Sequence, residues 1–163
     1  MTNDVVRIIG VLHFSFTVRD LDRSIAWYTD VLGLEVVARQ RSESAYIRTL
    51  VGYPDAILEV GQLRVPGASS GHSTHMLELI QYVEPAGTQP DLEMTNVGAA
   101  HLGFLVDDID AEYERLLSHG VEFVNPPVAI TSGVNAGGAA AYFHDPDGIT
   151  LELLKRPHGR TSA

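Results

Sequence analysis

The chain has 163 residues, 45% of them hydrophobic, and a formal net charge of −10, which suits one domain or two closely packed modules and opposes nucleic-acid binding. It has no cysteine, which excludes disulfides, thiolate catalysis and sulfur-bound zinc, so any metal would have nitrogen and oxygen ligands only. No basic start followed by a long apolar run is seen, and no apolar stretch reaches spanning length, so a cytoplasmic protein without a membrane partner is expected.

Val5 to Gly10 leads in, and Val11 to Val18 alternates as a strand. With a period of two, His13, Ser15 and Thr17 share one face and suit a polar cavity wall. Leu12, Phe14, Phe16 and Val18 share the other, which reads as core covered by a helix. Asp20 or Asp22 caps that helix, Ile25, Tyr28, Val31 and Leu32 form its apolar side, and Gly33 ends it. Leu34 to Ala38 returns as a short strand. Ala45 to Val51 is expected to be a small helix over the mouth of the site. Ala56 to Val65 reads as a strand with Ile57, Glu59, Gly61 and Leu63 on one face. A Pro/Gly/Ser loop follows from Pro66 to Ser73. On the next strand, His75 to Val83, Met76, Glu78 and Ile80 lie opposite Leu77 and Leu79.

Glu84 to Asn96, with Pro85, Gly87 and Pro90, is a connector that can cross the open side of the first module. Ala99 to Val106 is a strand, and Asp108 or Asp110 caps a helix to Ser118 with Ile109, Tyr113, Leu116 and Leu117 as its apolar side. Val121 to Val124 is expected as a strand stopped by Pro126-Pro127. Thr131 to Gly138 is a glycine-rich loop. Ala139 to Phe143 is a strand, Asp145-Pro146-Asp147-Gly148 a turn, and Ile149 to Leu154 the last strand before a tail from Pro157. The expected layout is a first module over 8–83, a linker over 84–96 and a second module over 97–155, together one domain.

One phrase occurs twice. H-F-S-F-T-V-R-D-L-D from His13 matches H-L-G-F-L-V-D-D-I-D from His101. Each half also closes on Leu-Glu-Leu, around Glu78 and around Glu152. A carboxylate among apolar neighbours is costly unless it is paired or metal-bound. Two converging carboxylates repel, and a divalent cation removes that conflict. Two imidazoles and two carboxylates suit Ni, Co, Zn, Mn or Fe(II). His13, Glu78, His101 and Glu152 are therefore the expected ligands of one shared ion. His72, His75, His119, His144 and His158 read as loop, turn or surface residues.

Val18-Arg19-Asp20-Leu21-Asp22 after His13, Trp27-Tyr28 with Val31-Leu32-Gly33-Leu34, His101, and Asp145-Pro146-Asp147-Gly148 with Glu152 carry a resemblance. From Ile8 to Lys155 the chain resembles the vicinal oxygen chelate superfamily of glyoxalase I, methylmalonyl-CoA epimerase, extradiol dioxygenases and bleomycin and fosfomycin resistance proteins. The resemblance implies an α+β fold of two tandem β-α-β-β-β modules forming a cupped mixed sheet around the metal. It also implies a homodimer, with the cup completed within a chain or across two, and a small-molecule substrate bound through vicinal oxygens. The His/Glu/His/Glu set is similar to that of bacterial glyoxalase I, and the dioxygenases use two histidines and one glutamate. The pocket departs from glyoxalase I. Thr17 stands where that enzyme has an arginine for glutathione, Tyr82 where it has an asparagine, and Thr131 to Gly138 lacks its basic residues.

The expectation is a divalent-metal-dependent isomerase or epimerase, resembling methylmalonyl-CoA epimerase, that removes a proton next to a metal-bound carbonyl. Glu78 or Glu152 would act as base, with Glu59 as an alternative if its face points inward. Thr17, Tyr46, Arg48, Tyr82 and Tyr142 are candidates to line the pocket. A lactoylglutathione lyase, an Fe(II) dioxygenase and a non-catalytic resistance-type binding protein remain alternatives.

Overall fold

A computed structural model describes residues 10–67 and 75–157. His72, His158, most of the expected loop from Pro66, the start of the lead-in and the tail beyond Pro157 lie outside the described residues. The order is β1 (His13–Thr17), α1 (Leu21–Asp30), β2 (Glu35–Ser42), α2 (Ala45–Val51), β3 (Ile57–Arg64) and β4 (Met76–Glu84). Then follow β5 (His101–Leu105), α3 (Ile109–Ser118), β6 (Val128–Ala129), β7 (Ala139–His144) and β8 (Thr150–Lys155). The strands form two four-stranded mixed sheets, β1-β4-β3-β2 and β5-β8-β7-β6, with β1/β4 and β5/β8 parallel. These are two tandem β-α-β-β-β modules. No helix of the described residues is long and apolar enough to cross a membrane.

The repeated aspartates cap the two long helices. Asp20 accepts from the backbone N–H of Arg23 at 3.0 Å, and Asp108 from that of Ala111 at 3.1 Å, each satisfying a donor that a helix start leaves free. Gly33 takes a positive φ of 72°, as the sharp exit from α1 requires. Leu21, Ile25 and Tyr28 of α1 pack with Leu63, Leu77 and Leu79 behind the first sheet. The same core continues into Ile109 and Leu116 of α3 and into Phe143, Leu151 and Leu153 behind the second. The modules therefore share one core, and the faces carrying Glu78 and Glu152 both point away from it.

A polar contact joins the modules beside that core. The Tyr28 hydroxyl donates to Asp145 Oδ2 at 3.1 Å, and the N–H groups of Asp147 and Ile149 donate to its Oδ1 at 2.9 and 2.8 Å. The Arg19 N–H donates to Asp147 Oδ2 at 2.8 Å, and the Arg23 guanidinium donates to the Pro146 carbonyl at 3.1 Å. The turn at Asp145–Gly148 is thus seated on the start of α1. Burial raises the pKa of Asp145 above the usual carboxylate range against the lowering effect of its three donors. Burial, then the Asp145 charge, raises that of Tyr28, which stays a donor.

Four expectations differ. Val121 to Val124 makes only a bridge from Phe123 to Phe143, and the strand in this place is the short β6 after Pro126-Pro127. Proline lacks the N–H that a ladder needs, so pairing resumes only beyond it. β2 runs on to Ser42 as an edge strand, its Arg39 and Arg41 paired with Asp22 and Glu59. In β1 only Phe16 and Val18 join the core; Leu12 and Phe14 are exposed, because the strand is a sheet edge that α1 does not reach along its whole length. Leu117 of α3 is also exposed, since the core takes Ile109 and Leu116. In the linker, Gln89 accepts from Arg19 at 3.0 Å and donates to the Asp147 carbonyl at 2.9 Å, holding it beside the end of β1.

Candidate metal centre

The parallel pairing of β1 with β4 sets Ser15 beside Glu78, so His13 and Glu78 stand one step apart on one face. His13 Nε2 lies 3.6 Å from Glu78 Oε1. The pairing of β5 with β8 repeats this, setting Gly103 beside Glu152. His101 Nε2 lies 3.4 Å from Glu152 Oε2. Both glutamates are mostly covered, with 15% and 17% of their side chains exposed, against 35% and 36% for the histidines. Both histidines and part of each carboxylate are therefore reachable from the outside.

The four residues form two pairs rather than one cluster. Among the described residues no three His, Asp or Glu side chains come together to hold an ion. The expected single centre is not assembled within one chain, because the two faces turn away from the shared core. Each pair nonetheless fits half of such a centre. Two ligands about 2.1 Å from one tetrahedral ion stand roughly 3.4 Å apart, close to both observed separations. The donors are neutral-capable imidazole and carboxylate, which suit borderline divalent ions.

The surroundings of the two pairs differ. The Gln62 amide nitrogen donates to Glu78 Oε2 at 3.0 Å. In the second module Tyr142 holds the corresponding register position beside Glu152. Its ring meets the His101 ring edge-on at 5.1 Å. Burial and then the Glu152 charge raise the pKa of Tyr142, so it keeps its proton. Gly103 supplies room: a Cβ there would stand 3.1 Å from Glu152 Oε2.

The other candidates separate clearly. Tyr82 lies on the Glu78 face, packed with Ile47 of α2 and with Leu58, Val60 and Ile80. The small helix therefore does sit over this face, with Tyr46 exposed on it. Arg48 of α2 donates to the Ala56 carbonyl at 3.4 Å, tying the helix to the turn before β3. Thr17 shares the His13 face. With Tyr82 and Ser15 it lines a cavity of about 680 Å³ under the linker, and none of the four His and Glu residues lines it. Glu59 lies on the opposite sheet face from Glu78, since Gln62 pairs in register with Glu78 and Glu59 with Gln81. Its carboxylate pairs with Arg41 at 2.8 Å. The condition set for it as a base, an inward face, is not met.

Three further residues lie on these faces beyond those expected from the sequence: Gln62, Gly103 and His144. His144 shares a row with Thr150 and His101 on the Glu152 face, and its Nδ1 is buried with no hydrogen-bond partner among the described residues. Gln62 is accessible from parity, as the polar side chain that follows Leu58 and Val60 on one face of β3.

The family model of the Glyoxalase/Bleomycin resistance protein/Dioxygenase superfamily matches residues 10–153. The chain belongs to this superfamily. It is 31% identical over 155 residues to a 2-epi-5-epi-valiolone epimerase of an Actinomyces species, covering 93% of this chain and 81% of that one. It is 28% identical over 148 residues to a lactoylglutathione lyase of Haemophilus influenzae, covering 89% and 91%. A glyoxalase family protein of Bacillus cereus superposes with a TM-score of 0.73 at 23% identity, over 96% of this chain and 99% of that one, which shows the fold of the superfamily.

Proposed function

We propose that the protein is a divalent-metal-dependent epimerase that acts on an uncharged hydroxylated ketone. The carrying observation is the pair of His–Glu half-centres, His13 with Glu78 and His101 with Glu152, equivalent in register and open to the outside. The two halves of one centre come from two copies of the chain in a homodimer. Exposed Tyr46, Leu50 and Leu105 on and around the open faces support a covering second copy. A divalent ion held by these four residues would polarise the carbonyl oxygen of the substrate.

The chain's own part is proton transfer. Among the described residues no hydrogen-bond donor is seated on Glu152, whereas Gln62 holds Glu78. Glu152 takes the proton from the carbon beside the carbonyl and holds it on a carboxylate oxygen. The C–H electron pair moves toward the carbonyl. A solvent water gives a proton to the opposite side of that carbon, Glu152 releases its proton to the solvent, and the centre is inverted with no change of oxidation state.

Charge supports the substrate class. Among the described residues Arg23 pairs with Asp147, Arg39 with Asp22, Arg41 with Glu59, Arg64 with Glu35 and Arg115 with Glu112, while Arg19 donates to Gln89 and Arg48 to the Ala56 carbonyl. Lys155 extends β8 at the parity of Leu151 and Leu153, away from Glu152. Among the described residues the open faces thus present imidazole, hydroxyl, amide and phenol groups but no cationic row for the phosphates of coenzyme A or the carboxylates of glutathione. The similarity to the Actinomyces 2-epi-5-epi-valiolone epimerase supports epimerase chemistry on an uncharged ketone in place of a coenzyme A ester.

The test is exchange in deuterated water, followed by proton NMR on hydroxylated cyclic ketones with the metal-loaded protein. Loss of the signal beside the carbonyl, without oxygen uptake, is expected. Oxygen consumption, or exchange only with glutathione adducts, would replace this reading.

A further inference from the structure

We propose that Gln62 is a positioning residue that fixes how Glu78 is presented to the metal; this rests on the reading of His13 and Glu78 as half of a metal centre. Gln62 stands directly across from Glu78 in the β3–β4 pairing, on the same open face. Its amide nitrogen lies 3.0 Å from Glu78 Oε2. A carboxylate oxygen accepts only, so the amide nitrogen and not its oxygen must face it. Glu78 Oε1 is left turned toward His13 Nε2. One oxygen is thus committed to the protein and one is presented to the outside, which selects single-oxygen coordination.

The bond orders the carboxylate without neutralising it. A lysine or arginine at this place would compete with the ion for the charge; an amide does not. Gln62 is itself half-buried, in one row with the buried Leu58 and Val60. The second module has no such device, because Tyr142 occupies the matching position and Gly103 leaves space around Glu152. Gln62 therefore makes the two carboxylates of a symmetric scaffold unequal: Glu78 is held and Glu152 is left able to move. Partners of this kind, outside the ligand set, commonly contribute 10- to 100-fold in metal affinity.

The experiment is titration of the metal-free protein with Co²⁺, followed by calorimetry and by the visible spectrum of the bound ion. Wild type is compared with Gln62→Met, of similar length without the donor, and with Gln62→Asn. Both Gln62 variants are expected to bind Co²⁺ about 10- to 100-fold more weakly, with a changed ligand-field spectrum. The metal-free melting temperatures are expected to agree. If wild type binds Co²⁺ and a folded Gln62 variant binds it as tightly with the same spectrum, the inference fails and the metal reading stands. If wild type itself binds no Co²⁺, both fail.

Discussion

Tyr28→Phe removes one oxygen from the contact that joins the modules and changes almost nothing else. The ring stays in the core, where Tyr28 is fully buried, so no cavity forms. What is lost is the donor on Asp145 Oδ2. Asp145 is 5% exposed, so water cannot readily replace it. A buried hydrogen bond to a charged group is worth about 2 kcal/mol. For a chain of this length that corresponds to a fall of about 4–8 °C in melting temperature at neutral pH. The loss depends on pH. Burial raises the folded-state pKa of Asp145, so this group favours the folded state most below its unfolded value, and that contribution declines as pH rises through the folded value. The Tyr28 hydroxyl lowers the folded value, so Tyr28→Phe raises it further. The gap between wild type and variant therefore opens across this window and is full above it. Below the unfolded value the carboxyl is neutral in both states and the gap shrinks to about 1 kcal/mol or less. Urea unfolding of the pair at a series of pH values measures this directly. An equal loss at acidic and neutral pH, or none at neutral pH, would refute the reasoning.

Other substitutions separate stability from the site. Gly103→Ala places a Cβ 3.1 Å from Glu152 Oε2, at a backbone geometry alanine accepts. It is expected to weaken metal binding about tenfold while leaving the melting temperature nearly unchanged, checked by metal titration and calorimetry. Gly61→Ala meets the flexible end of Ile25 at 2.7 Å, whereas Gly138→Ala meets the backbone oxygen of Lys155 at 2.2 Å. The first is expected to cost about 1 kcal/mol and the second about 3 kcal/mol or more in denaturant unfolding, because a side chain can turn aside and a paired strand cannot. Glu59→Gln, on the far side of the sheet, is expected to leave metal content and proton exchange as in wild type; loss of either would restore it as a candidate base.

Much of this was legible in the chain. The repeat around His13 and His101 and the Leu-Glu-Leu closings placed both His–Glu pairs, because strand parity is a local property and the parallel pairings preserve it. The two helix starts were legible from local capping chemistry as Asp20 or Asp22 and Asp108 or Asp110, of which the structure uses Asp20 and Asp108, and the helix at Ala45–Val51 was expected in its place. What the residues did not reveal depends on distant packing. Leu12 and Phe14 look like core by alternation, but only an edge position decides that they are exposed. The separation of the pairs follows from α1 and α3 meeting in one core, sealed by Tyr28 and Asp145 far apart in sequence. Gln62 carries no motif, and its meaning appears only once β3 lies beside β4.

The most direct test of a centre shared by two chains needs no substrate. His13→Ala/Glu78→Ala and His101→Ala/Glu152→Ala variants are each prepared, refolded together in equal amounts and analysed for bound divalent metal beside wild type. Each variant alone is expected to bind little. In the mixture about half of the dimers combine both variants, and each such dimer holds one intact centre of two, so about a quarter of the wild-type metal content is predicted. A mixture that binds no more than its separate components, while wild type binds about one ion per chain, would contradict the account.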